Sequence, residues 1–170
     1  MRANYRALVV PNQVAPQREG LALLVHHSVR VVRWWHVPQC LAAHLQWGSL
    51  RFYLVVAYLA PLSAARRAVL APASELSQEE QALDPLRSVL ADIPCAEEPV
   101  VLVGDLNARV ASRCPDLPDH PPRCSVDQLV NSRGPAFLRL CEETGLWLLH
   151  GTSEGCRGAT SFHSLLYGEA

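Results

Sequence analysis

The chain contains no lysine: all fifteen of its basic residues are arginine. That absence looks like coding bias, and no function is read from it. Residues 1–73 hold a single acid, Glu19, against eight arginines, a balance of +7, while residues 74–170 balance at −8. Such a split suits a phosphate-facing surface beside a cation-attracting pocket, or simply two halves that attract each other. No stretch of about 18 apolar residues is free of charge, which excludes a membrane-spanning helix of the usual kind. The apolar run after the N-terminal Met1-Arg2 is only Ala7 to Val10, too short for a secretory signal core. There is no Cys-x-x-Cys pair among the six cysteines, so a structural zinc site is not signalled; Cys114, His120 and Cys124 lack the short paired spacing such sites use. Without a secretory signal, reduced thiols and an intracellular, soluble protein are expected.

What the sequence does hold is ordinary for a globular domain: 170 residues, 49% hydrophobic and 18% charged. That length fits one domain with a real core, and the expectation is a single domain over 1–170.

The most informative stretch is Pro99-Val-Val-Leu-Val-Gly-Asp-Leu-Asn-Ala108. Its apolar, β-branched start reads as a strand buried on both faces. Gly104 then permits a sharp change of direction, and Asp105 and Asn107 follow as small polar turn formers. A carboxylate and an amide are thereby fixed two residues apart at a strand end, where a rigid element positions and a loop exposes. Alone, Gly-Asp-x-Asn is common in turns.

Around it, Tyr5–Val10, Leu21–Val25, Val29–Trp35, Cys40–Trp47 and Leu50–Tyr58 read as strands with short connections, which predicts a largely antiparallel sheet. Residues 62–77 are ambiguous. Ser77, with Glu80 at capping-box distance, predicts one helix running to Ile93. A proline-rich loop follows Asn107. A second helix opens at Gly134-Pro135 and stops at Gly145, Leu146–Leu149 reads as a strand, and Thr160–His163 starts a last one.

In this order the segments resemble the endonuclease/exonuclease/phosphatase superfamily, which is DNase I-like, and within it the endonuclease domain of non-LTR retrotransposons. Four pieces carry the resemblance: Arg18–Val25, Leu54–Pro61 (with Ala57 where Asn is frequent), Pro99–Ala108, and Asn131–Gly151. It implies an α+β fold, a four-layer sandwich of two mainly antiparallel sheets flanked by helices. It implies metal-dependent cleavage of nucleic-acid phosphodiesters, with DNA as substrate and Mg²⁺ or Mn²⁺ held at Asp105 and Asn107. Asp105 would orient or deprotonate the attacking water. Asn107 would donate its amide to a phosphate oxygen or position the metal-bound water, Tyr58 would donate a hydrogen bond to the phosphate, and Ser161 and Phe162 would touch the nucleic acid. No membrane and no obligate protein partner are implied, and a nuclear location would follow from retroelement descent.

The family's N-terminal Asn and metal-binding Glu, and its C-terminal Asp and Asp-His pair, have no counterparts here. The expectation is therefore a domain incomplete at both ends, with weak or no activity. A phosphatase acting on a small or lipid phosphoester stays open as an alternative. So does a non-catalytic relic or binding domain.

Overall fold

Short β-branched runs separated by tight turns fold locally into hairpins, and two of them, turning at residues 38–39 and 48–49, build the larger sheet of this chain. A computed structural model describes residues 4–11, 20–61, 75–94 and 98–152. The chain divides into two compact units, Met1–Asn107 and Ala108–Ala170.

In the first unit, β1 (Tyr5–Pro11) pairs antiparallel with β2 (Gly20–His26) as a two-stranded sheet. β3 (Arg30–Val37), β4 (Cys40–Trp47), β5 (Leu50–Tyr58) and β6 (Val100–Asp105) form a second sheet in that spatial order. The β3–β4 and β4–β5 pairs are antiparallel hairpins, whereas β6 runs parallel to β5. A parallel neighbour requires a crossover, and two helices lie in it, α1 (Glu75–Ala82) and α2 (Asp84–Ala91). The fold is α+β.

Strand β4 explains the layering, because both of its faces are buried. Leu41, Ala43 and Leu45 form one core with Leu8 and Val10 of β1 and Val25 of β2. Trp34, Phe52 and Leu54 pack against the rim of that core. On the opposite face Cys40 and Ala42 are fully buried, and α2 lies against β3 and β4 with Leu86 and Val89 fully buried. The described residues of this unit thus make three layers of the expected sandwich: two-stranded sheet, four-stranded sheet, helix.

The single helix expected from Ser77 to Ile93 is two helices. Pro85 sits in the first turn of α2, where a missing N–H costs nothing, and a turn at Leu83 separates it from α1. Helix α1 begins at Glu75, so Ser77 lies inside its first turn rather than capping it. The β6 run is also less buried than its composition suggests. Val101 and Val103 are 42% and 44% exposed, and among the described residues β6 pairs with a strand on one side only.

In the second unit, α3 (Arg133–Thr144) ends at Gly145, whose φ of 70° supplies the left-handed C-cap expected there. Residues 146–149 do not form the expected strand. Their backbone is tied elsewhere: Leu146 N–H donates to Cys141 O, and Leu148 N–H donates to His120 Nε2 at 3.0 Å. His120 Nδ1 lies 2.7 Å from Pro121 O, so both ring nitrogens are engaged by backbone rather than presented to a metal. The Thr160–His163 strand lies outside the described residues.

Burial pushes the thiols of Cys40 and Cys141 from the usual 9.0 up to about 12; for Cys141 the neighbouring Glu142 adds to this and Arg123 partly offsets it. A thiol held protonated in the folded chain but free to ionise when unfolded contributes stability that is complete below about pH 9 and lost as pH climbs towards 12. With no lysine, cysteine and tyrosine are the side chains that titrate in this window. The melting temperature of the wild type should therefore fall with pH above about 9 more steeply than that of a Cys40→Ala/Cys141→Ala double variant. Parallel curves would contradict this.

Candidate functional site

The parallel register of β5 and β6 places Tyr58 opposite Asp105 at the last step of the ladder. Both belong to the face of the sheet that carries Leu54 and Val56, the face turned to the β1–β2 layer. The ladder continues past them by one bond, Leu59 N–H donating to Asp105 O at 2.9 Å. Leu59 itself is buried, so the end of β6 is pinned to a fixed point.

The loop then folds back on itself. Asn107 N–H donates to Asp105 Oδ1 at 3.0 Å, an Asx turn of the kind these residue types favour. Asn107 adopts a φ of 49°, which asparagine tolerates better than most residues. Its side-chain Nδ2 donates to Leu59 O at 3.0 Å. Three bonds therefore connect Leu59, Asp105 and Asn107 in a closed loop. The carboxylate of Asp105 is exposed, with one oxygen held, while Tyr58 and Asn107 are half-buried.

A third element approaches from the other side. Tyr58 N–H donates to Gln39 O at 3.0 Å, so the turn of the β3–β4 hairpin closes over the end of β5. Gln39 has a φ of 70°. Neither Leu59 nor Gln39 was signalled as part of the site. Both act through backbone atoms, and side-chain chemistry gives no hint of that. Pro38-Gln39 between two apolar runs was the one available clue, since it marks a turn.

The structure thus brings Tyr58, Asp105 and Asn107 to one place. Ser161 and Phe162 lie outside the described residues. Of the arginines in the first 73 residues, Arg30, Arg33 and Arg51 lie in register with His44 and Gln46 on the opposite face, towards the other end of the sheet. Arg51 stands 3.7 Å from Glu98 there.

Mg²⁺ and Mn²⁺ take oxygen ligands, usually one or two carboxylates supplemented by phosphate oxygens and water. Asp105 supplies one carboxylate, already engaged through Oδ1, and the amide nitrogen of Asn107 is anchored on Leu59 O. Among the described residues no three His, Cys, Asp or Glu side chains come together as a metal-binding group. Asp105 and Asn107 thus contribute one carboxylate to this end of the sheet. What they offer is a positioned hydrogen-bond acceptor beside a phenol donor.

No family model and no curated protein matches the sequence. Among solved structures the chain is similar to the human Nocturnin catalytic domain with bound sulfate anion, at 17% identity and a TM-score of 0.44, over 64% of this chain and 44% of that one. It is also similar to truncated Caenorhabditis elegans TDP2, at 21% identity and a TM-score of 0.40, over 66% of this chain and 45% of that one. A conserved protein of unknown function from Enterococcus faecalis V583 aligns at 18% identity and a TM-score of 0.40, over 62% and 45%. The chain spans less than half the length of each.

Proposed function

We propose that this chain is a phosphodiesterase-type domain acting on nucleic-acid phosphodiesters, with Tyr58, Asp105 and Asn107 at its reacting end. One observation carries the reading: a carboxylate open to solvent and a half-buried phenol stand in register on adjacent parallel strand ends held by main-chain bonds. The resemblance of Leu54–Pro61 and Pro99–Ala108 to superfamily motifs falls on the two strands that meet there.

The chemistry follows from the donors and acceptors present. The Tyr58 hydroxyl donates to a non-bridging phosphate oxygen and fixes the group against the sheet end. Asp105 accepts a hydrogen bond from the attacking water and takes its proton as the new P–O bond forms, which needs a positioned carboxylate within hydrogen-bond reach. Asn107 keeps that carboxylate oriented through its backbone N–H and is itself held by Leu59 O. As that bond forms, the P–O bond to the leaving oxygen breaks and this oxygen takes a proton from solvent water, so that the diester gives one phosphomonoester and one hydroxyl. A divalent ion, where the substrate brings one, would neutralise charge on the phosphate oxygens.

A second reading is favoured by one observation. No cluster of three acids, histidines or cysteines forms around Asp105 among the described residues, which suits a domain that binds phosphodiesters with little turnover.

The two are separated by incubating supercoiled plasmid with the purified chain in Mg²⁺ buffer, with Asp105→Asn in parallel. Nicking by the wild type alone supports hydrolysis at this site. Plasmid left intact by both proteins selects the binding reading, and nicking by both places the chemistry elsewhere.

A further inference from the structure

The face of the four-stranded sheet that carries Tyr58 and Asp105 also carries an imidazole at the same end. His36 lies opposite Leu41, Leu41 opposite Val56, and Val56 opposite Val103, so one row crosses all four strands from His36 to β6. Tyr58 and Asp105 stand two residues further along β5 and β6. With strands about 4.8 Å apart, β3 and β6 are separated by roughly 14 Å, too far for one phosphate group to bridge.

His36 is set up as a platform. Its ring stacks near-parallel on Trp34, with centroids 6.0 Å apart and planes 24° from each other. Trp34 is half-buried against the core between the two sheets, which fixes the pair, whereas His36 is exposed. An exposed ring beside a phosphate-binding end is what single-stranded nucleic acid uses. Bases splay out and stack on aromatic or histidine side chains, while phosphates are held separately. A small phosphoester has no second group to reach that ring.

We propose that the ligand of this site is single-stranded nucleic acid, with a base stacked on His36 while a neighbouring phosphodiester lies at Tyr58 and Asp105. This deepens the reading above, and it rests on that reading for the position of the phosphate. The stacking itself is independent of whether the phosphate is cleaved.

The test is fluorescence anisotropy of a labelled oligothymidylate titrated with the full chain, in wild type, His36→Ala, His36→Gln and His36→Tyr. Base–ring stacking predicts a loss of affinity of about 5- to 100-fold in His36→Ala. The same loss is expected in His36→Gln, which keeps hydrogen bonding without a ring, and recovery is expected in His36→Tyr. Equal affinity in wild type and His36→Ala overturns the proposal, as does rescue by His36→Gln or the absence of measurable oligonucleotide binding. Asp105→Asn measured alongside keeps the two readings apart: cleavage lost in Asp105→Asn with binding indifferent to His36 removes this inference alone. Binding that needs His36 without any cleavage dependent on Asp105 removes the hydrolytic reading alone.

Discussion

Asp105→Asn should lower the plasmid-nicking rate by about two to four orders of magnitude, the usual contribution of a positioned general base. The same change should move the melting temperature by less than roughly 2 °C, since exposed substitutions cost little and a chain of this size loses a few degrees per kcal/mol. The choice of Asn matters. Its side-chain oxygen can still accept the Asn107 N–H that Asp105 Oδ1 accepts now, so the Asx turn survives while the negative charge and the proton-accepting capacity go. Asp105→Ala removes the turn as well, and a lost rate there would confound chemistry with geometry. The main-chain bonds from Leu59 to Asp105 and from Tyr58 to Gln39 are untouched in either case. A rate within a few-fold of wild type in Asp105→Asn, with the protein still folded, would take the reacting group away from this strand end.

How much of this was legible in the sequence depends on which force decided each feature. All six strands stand where alternating or β-branched runs between turn residues place them, because side-chain burial and turn chemistry are both local signals. The neighbourhood of Asp105 and Tyr58 was not local. Nothing in residues 50–58 or 100–105 says that the two strands run parallel and in step. That follows from the crossover through α1 and α2 and from a register that only the folded ladder fixes. The same reasoning covers the errors. Residues 146–149 have strand-like composition, but their backbone donors were taken by Cys141 O and His120 Nε2, partners 5 and 28 residues away. Val101 and Val103 looked like the interior of a sheet, and their apolar side chains do face the inter-sheet side. Whether that side is covered depends on what packs against it from elsewhere in the chain, which no residue of β6 encodes. Charge was the least informative signal. The basic bias of the first 73 residues is real, yet Arg30, Arg33 and Arg51 lie on the face opposite the candidate site, since the parity of each strand position outranks net charge.

Gly104→Ala should be the most damaging single substitution at this end of the sheet. A methyl group there would sit 1.9 Å from Ala57 O and 2.9 Å from Ala57 C, both main-chain atoms of the neighbouring strand. The clash cannot be relieved by turning a side chain; β6 must move away from β5. The backbone at Gly104 also has φ of 134°, a conformation open to glycine and strained for any other residue. Together these point to a loss of at least about 3 kcal/mol, or roughly 6–12 °C in melting temperature for a chain of this length. Gly48→Ala separates the two causes, because Gly48 has φ of 59° in the β4–β5 turn with nothing within 4 Å of the added carbon. It should cost about 1 kcal/mol, the left-handed penalty alone. The damage at Gly104 should also be local before it is global. Among the described residues β6 pairs with a strand, β5, on one side only, and two of its valines are already exposed. Hydrogen exchange in Gly104→Ala should accordingly speed up first at the amides of residues 101–107, with those of β4, which is buried on both faces, still protected. Nicking should be lost in this variant with Asp105 still present, because the pair step from Ala57 to Gly104 is the one that delivers Asp105 to Tyr58. If Gly104→Ala melts with Gly48→Ala and keeps its β6 protection, the close approach of these two strands is not what positions the carboxylate.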